Sequence, residues 1–445
     1  MALTGLDIFK LLPKTNCKKC GMPTCLAFAM QLAQKKAKLE DCPCVSDEAT
    51  ETLAAAAEPP MRSVKFGTGD SEVQLGQETV MFRHEEKFYS PTIIAVTLSD
   101  KLAGDDLKKR IDDINSLKFE RIGLHIQANA VAIINESGSD DSFANAAAAV
   151  NDSSDLAIIL CSDSPSAMAA AVAKTAAAVP LIASASADNA DDMAKIAKEN
   201  NCPIVAKADS IEALAELTEK IKAQGVNDIV LNLDGKALQE LLFSLSQLRV
   251  LSLKKVFRPL GFPTMSFVTD TDTDAQVTSA TSLICKYSGI VVIDTTDHAA
   301  VLTMLTVIMN VYSDPQKPIQ VDPKVYAIGE PNENSPVIFT TNFSLTYYTV
   351  ESDVESSRVP AYIIVVDTEG TSVLTAYSGD KLNEKVVADA IAKYGVEDMV
   401  KHRKLIIPGY VAVMSGKLEE ATGWEILVGP RESSMLPKYL QEVWK

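Results

Sequence analysis

LAIILCSDSPSAMAAAVAKTAAAVPLIASA, residues 156–185, sets two short apolar runs on either side of an alanine-rich stretch. LAIILC (156–161) and PLIASA (180–185) are continuously apolar rather than alternating. Continuous runs of that length, joined by long crossovers, mark parallel strands buried on both faces. Between them, SPSAMAAAVAKTAAA (164–178) offers the small side chains of a helix that packs closely on a sheet.

The same beat runs through the middle of the chain. TIIAVTL (92–98) and AVAIIN (130–135) precede the quoted stretch; PIVAKA (203–208), DIVLNL (228–233), TMSFVT (264–269) and GIVVID (289–294) follow it. Eight such units in about 230 residues match a (β/α)8 TIM barrel, whose usual length is about 250. An open doubly wound sheet is the competing architecture. The carboxyl ends of these runs are polar, as in TDTDTD (269–274) and DTTD (294–297). Active sites lie on that face of a barrel, but Asp and Ser there also cap the helices that follow. No convergent nucleophile, histidine pair or phosphate-cradling glycine loop is present. His84, His125, His298 and His402 are scattered and read as structural or exposed.

Proline-rich DPQKPIQVDP (314–323) opens a third unit. PVIFTT (336–341), AYIIVVD (361–367), KLIIPGY (404–410) and WEILVGP (424–430) read as its strands, with helices near 380–395 and 432–444. This is a small Rossmann-like α/β domain. Its strand ends carry Gly, Ser, Thr and free backbone N–H groups, suited to a large ligand rich in amide and phosphate groups and poor for acid–base chemistry.

Five of the eight cysteines lie in residues 15–44, as Cys17-x2-Cys20-x4-Cys25-x16-Cys42, with Cys44 two residues on. Cys42-x-Cys44 is too short for a zinc knuckle. Three thiols in one loop plus a distant fourth fit a 4Fe–4S cluster better; zinc and redox thiols are the alternatives. Gly21 and Pro23 allow a tight loop, and Thr24 is placed to cap a helix from Cys25 to about Lys38. Cys161, Cys202 and Cys285 read as inert buried thiols. VSDEATETLAAAAEPPMRS (45–63) reads as a short helix and a linker broken at Pro59-Pro60, and 62–90 as a hairpin built on VKFG and TVMFR.

The net charge of −17 argues against nucleic acid. Residues 1–40 run the other way, with seven lysines against Asp7 and Glu40. They form a solvated face, or they offset an anionic centre or dock an acidic partner. No run reaches the length of a membrane helix and no signal peptide is evident. A cytoplasmic protein is expected, where clustered thiols bind metal more often than they form disulfides.

From LTGLDIFKLLPKTNCKKCGMPTC to CPC, and in the TTNFSLT (340–346) and EGTSV (369–373) loops, the chain resembles the large subunit of the corrinoid iron–sulfur protein of the acetyl-CoA (Wood–Ljungdahl) pathway. The likeness covers the whole length. It implies an α/β protein with a 4Fe–4S domain at 1–58, a linker and hairpin at 59–90, a TIM barrel at 91–318 and a corrinoid-binding domain at 324–445. It also implies a methyl carrier that belongs to a methyltransferase system. The corrinoid cobalt would take a methyl group from methyltetrahydrofolate on a methyltransferase and pass it to acetyl-CoA synthase/CO dehydrogenase. The cluster, fed by a low-potential electron donor, would return Co(II) to Co(I). Cluster ligands map to Cys17, Cys20, Cys25 and Cys42, leaving Cys44 a bystander. Corrinoid contacts map to Thr340, Thr346, Gly370, Thr371, Ser372, Val373 and Ser433. DxHxxG is absent, which suits a base-off corrinoid without a protein histidine. A smaller barrel subunit would complete a heterodimer, and segments 56–62 and 314–323 would act as hinges. The rivals are a barrel enzyme using Asp270, Asp272 or Asp294, and a zinc-stabilised binding protein.

Overall fold

The computed structural model describes residues 5–33, 37, 39–46, 49, 59–233 and 235–444. The short helix read after Cys44 lies outside the described residues. So does the far end of the helix expected to reach Lys38, which is described as Cys25–Ala33. Two compact units emerge. One holds the described residues through Lys118 together with Gln127–Tyr312; the other holds Phe119–Ile126 and the residues from Ser313 onward.

In the first unit, β1 (Ser63–Phe66) and β2 (Val73–Gly76) form an antiparallel hairpin. VKFG is therefore strand, but TVMFR is not. Its second partner is VQLG, and Met81 packs instead against Met61 and Leu253. Next come β3 (Ile93–Ser99) and, after β4 (Lys118–Arg121) and β5 (Leu124–Gln127), which fall mostly in the second unit, β6 (Ala130–Ile134). Then follow β7 (Ala157–Cys161), β8 (Leu181–Ala185), β9 (Ile204–Ala208), β10 (Ile229–Leu233), β11 (Thr264–Phe267) and β12 (Ile290–Ile293). All eight predicted runs become strands of one closed parallel barrel, ordered β3-β6-β7-β8-β9-β10-β11-β12 and sealed by β12 on β3.

Inward positions alternate along each strand, and many are small: Ala95, Ala130, Ala132, Ala157 and Ala183. Small residues leave space at the axis, and Val64, Phe66 and Leu75 of the hairpin join the same core. The hairpin lies at the amino-terminal rim, where the Gly67 amide donates to Val179 and the Arg62 amide to Gly261. It is a stopper for the barrel floor. From Pro60 onward, the segment read as a flexible link is fixed there too, since the Ser252 hydroxyl donates to the Pro60 carbonyl.

In the second unit, β13 (Val325–Ile328), β14 (Val337–Thr341), β15 (Ala361–Val366), β16 (Lys404–Ile407) and β17 (Glu425–Val428) form a sheet ordered β13-β15-β14-β16-β17. Only β13 is antiparallel. Apolar layers cover both faces. Trp424 and Phe339 sit in one; Tyr347, Val354 and Leu440 sit in the other. From β14 the chain steps to β15 on one side, then crosses to β16 on the other, so a topological switch point falls between β14 and β16.

Candidate functional site

Cys25 opens the Cys25–Ala33 helix, capped as expected by the Thr24 hydroxyl, which accepts the Ala27 amide at 3.0 Å. Asn16 braces the loop: its side-chain carbonyl accepts the Cys25 amide at 2.8 Å, while its backbone N–H points at Cys25 Sγ at 3.4 Å. A helix amino terminus and an N–H donor both favour charge on sulfur. Cys25 and Cys42 are buried in a small apolar core with Ile8, Leu12 and Phe28, and Cys20 and Cys44 pack against it. Cys17 is exposed and lies 3.9 Å from Cys44 Sγ. The Lys19 backbone N–H lowers the Cys17 thiol below its ordinary value, and the contact with Cys17 raises that of Cys44. Among the described residues, no three His, Cys, Asp or Glu side chains stand within reach of one metal ion. Five thiols in and beside this apolar core nonetheless offer the donors a four-thiolate cluster needs.

The second candidate site lies at the switch point, where open α/β sheets bind ligands. A cavity of about 330 Å³ is lined by Thr340 on β14, Pro408 after β16 and Gly429–Ser433 after β17, and by Thr346 and Ser372 on two helix starts. Thr340 is 1% exposed, and its hydroxyl has no hydrogen-bond partner among the described residues; the same holds for Thr341. A buried hydroxyl left unpaired costs about 1–3 kcal/mol. The Thr340 hydroxyl therefore fits a bound ligand that supplies the missing bond, as a corrinoid rich in amides would.

Of the residues the resemblance pointed to, Thr340, Thr346, Ser372, Val373 and Ser433 line this cavity. Gly370 and Thr371 do not; they form the turn that leads into Ser372. Ser433 starts a short 3-10 turn ahead of the last helix, Leu436–Val443. Leu345, Tyr410 and Arg431 also line the cavity and were not anticipated. Leu345, in the first turn of the Ser344–Ser357 helix, and Tyr410, just after β16, are exposed, with no pattern to mark them. No histidine lines the cavity among the described residues. His402 precedes β16, at the opposite end of that strand, and contacts the Ser335 carbonyl.

At the barrel mouth, Asp270, Asp272 and Asp294 are already engaged. Asp272 caps the Thr273–Cys285 helix through the Ala275 amide, and Asp270 accepts from the Ser279 hydroxyl at 2.6 Å. Asp294 pairs with Arg110 at 3.1 Å, and Asp163 with Lys207 at 3.0 Å. Asp297, Ser139, Ser164 and Ser210 are also caps. Asp272, Asp297 and the three serines build helix starts, while Asp163, Asp270 and Asp294 are held by neighbouring side chains.

A family model described as CO dehydrogenase/acetyl-CoA synthase delta subunit matches residues 63–440. A separate Fe–S cluster family model matches residues 12–44. The chain is 44% identical over 434 residues to the corrinoid/iron–sulfur protein large subunit of Moorella thermoacetica, covering 98% of this chain and 97% of that protein. It is 37% identical over 456 residues to the acetyl-CoA decarbonylase/synthase complex subunit gamma of Methanothermobacter thermautotrophicus, covering 100% and 99%. Among solved structures, a dihydropteroate synthase from Coxiella burnetii aligns with 53% of this chain and 99% of its own at a TM-score of 0.38 and 14% identity. None of the described helices is long and apolar enough to cross a membrane.

Proposed function

The chain belongs to the CO dehydrogenase/acetyl-CoA synthase subunit family, beside corrinoid/iron–sulfur protein large subunits, and from that premise we propose that it is a protein-bound methyl carrier. The corrinoid, when bound, supplies a cobalt that accepts a methyl group from methyltetrahydrofolate on a methyltransferase and yields it to acetyl-CoA synthase, and the 4Fe–4S cluster supplies the electron that returns Co(II) to Co(I).

The observation that carries this reading is the cavity at the β14/β16 switch point, lined by Thr340, whose buried hydroxyl has no partner among the described residues. Thr340, Thr346, Ser372 and Ser433 would hydrogen-bond the corrinoid's amides, Val373 would pack on it, and Gly370 and Thr371 would set the turn behind them. In this reading the corrinoid would bind with its lower base off and without a protein histidine on cobalt. Cys17, Cys20, Cys25 and Cys42 would hold the cluster. The partners in this reading are a smaller barrel subunit, the methyltransferase, acetyl-CoA synthase/CO dehydrogenase and a low-potential electron donor. The barrel is scaffold and interface, which agrees with its engaged carboxylates. We also propose functional boundaries at 1–58, 91–318 and 324–445, with 59–90 joining cluster domain to barrel.

The test is anaerobic metal analysis and a visible spectrum of the chain co-expressed with its small subunit. Cobalt and about four irons per chain, with bands that shift on reduction and methylation, are expected. Iron without cobalt would sink the carrier reading.

A further inference from the structure

Asn342 reaches the Thr368–Ser372 loop from inside, beside the loop's own Thr368–Thr371 and Asp367–Glu369 hydrogen bonds. Asn342 follows β14 and is 1% exposed. Its Oδ1 accepts the Thr368 amide at 3.0 Å and the Gly370 amide at 3.0 Å, and the Thr368 hydroxyl stands at 3.1 Å. Its Nδ2 donates to Asp367 Oδ1 at 3.0 Å and to Gln320 Oε1 at 3.1 Å. An amide alone among side chains of this size offers an acceptor on one side and two donors on the other, and here every one of those positions is filled.

Gln320 belongs to the strap ahead of β13. The Val321 amide donates to the Asn342 carbonyl and the Ser344 amide to the Ile319 carbonyl. A Cβ on Gly370, whose φ is +72°, would stand 2.6 Å from Gln320 Cγ. So the proline-rich segment 314–323, read from the sequence as a hinge, is pinned over its second half. Loop, strand end and strap meet at one amide.

We propose that Asn342 is the positioning residue of the cofactor loop: it presets residues 368–372 so that Ser372 and Val373 face the cavity before the corrinoid arrives. The inference rests on the corrinoid reading of that cavity. Presetting matters because a loop ordered only on binding subtracts its ordering entropy from the affinity. Residues that orient ligand-holding groups typically change affinity by about 10–100-fold when removed.

The experiment uses the full chain with its small subunit, freed of cobalt, and reads two quantities: amide hydrogen exchange and binding of hydroxocobalamin under reducing conditions. Asn342→Ala should speed exchange at Thr368 and Gly370 at least about tenfold and weaken binding about 10–100-fold. Asn342→Asp should also weaken binding, because it sets a second carboxylate against Asp367. Combining it with Asp367→Asn restores a donor–acceptor pair and should recover affinity to within about threefold. A merely structural role would raise exchange across the whole sheet and would not respond to the swap. Unchanged loop exchange in a folded Asn342→Ala chain overturns the proposal, and so does fast exchange with unchanged binding. If the unaltered chain takes up no hydroxocobalamin, the corrinoid reading and the cofactor half of the inference fail together. The exchange pattern then still decides whether Asn342 holds the loop.

Discussion

Arg249 and Glu78 meet at 3.1 Å with side chains only 4% and 7% exposed. The pair ties the last turn of a barrel helix to the segment that follows the hairpin stopper. The pair has further partners: the guanidinium also donates to the Val80 carbonyl and lies 5.0 and 4.8 Å from the Phe88 and Tyr287 rings. Glu78 accepts the Tyr89 and Ser90 amides. Removing one partner of a buried pair strands the other charge, at a cost of about 3–5 kcal/mol. Arg249→Met should therefore destabilise the barrel by that amount in urea unfolding. Adding Glu78→Gln, which keeps an acceptor for the amides, should recover most of the loss.

Cluster assembly should separate Cys42 from Cys44. Cys42→Ser and Cys25→Ser should each remove the visible iron–sulfur absorption and most of the iron. Cys44→Ser should keep about four irons per chain. Iron and sulfide assays under nitrogen decide this, and iron lost from Cys44→Ser would exchange the roles of the two residues.

Thr340→Val should part stability from binding. The unpaired hydroxyl is a burden while the cavity is unfilled, so the variant's stability without cofactor should be unchanged or raised by up to about 1 kcal/mol. Its corrinoid affinity should fall about tenfold. A matched fall in both would mean that the hydroxyl has a structural partner.

Gly370→Ala places a Cβ against Gln320 in a left-handed turn. Left-handed backbone costs a non-glycine residue about 1–2 kcal/mol, and the clash adds to it. Cobalt content should drop, and adding Gln320→Ala should restore part of it by removing the clash but not the backbone strain.

The scattered thiols should react unequally. Burial pushes the Cys161 thiol up to about 12 and that of Cys202 to about 11, so neither should alkylate in the folded chain at pH 8. Cys285, expected to be buried, is exposed and should label. Because the folded value of Cys161 lies above its ordinary 9.0, keeping it neutral stabilises the barrel fully below pH 9. That contribution is lost as pH rises toward 12, and Cys161→Ala should flatten stability over that window.

The barrel was legible because its strands are buried on both faces, which leaves unbroken apolar runs such as LAIILC and GIVVID. The caps were legible because Asp272 and Ser164 act on amides three residues away. Four elements left no such trace. The hairpin β4–β5 is short and mostly exposed, and Phe119–Ile126 belongs to the second unit. β13 has four residues close to a proline. The Ser344–Ser357 helix is polar and rich in β-branched residues, so tertiary contacts decide it. The role of Asn342 depends on partners more than twenty residues away in either direction, and no local pattern encodes it.

The stopper has a consequence for the order of synthesis. Val64, Phe66 and Leu75 leave the ribosome long before Ile290, whose strand seals the barrel against β3. At about 5–20 residues per second, the intervening two hundred or so residues take about 10–40 s. For that time the hairpin's apolar face has no floor to fill, and a chaperone that covers it should raise the yield of folded chain.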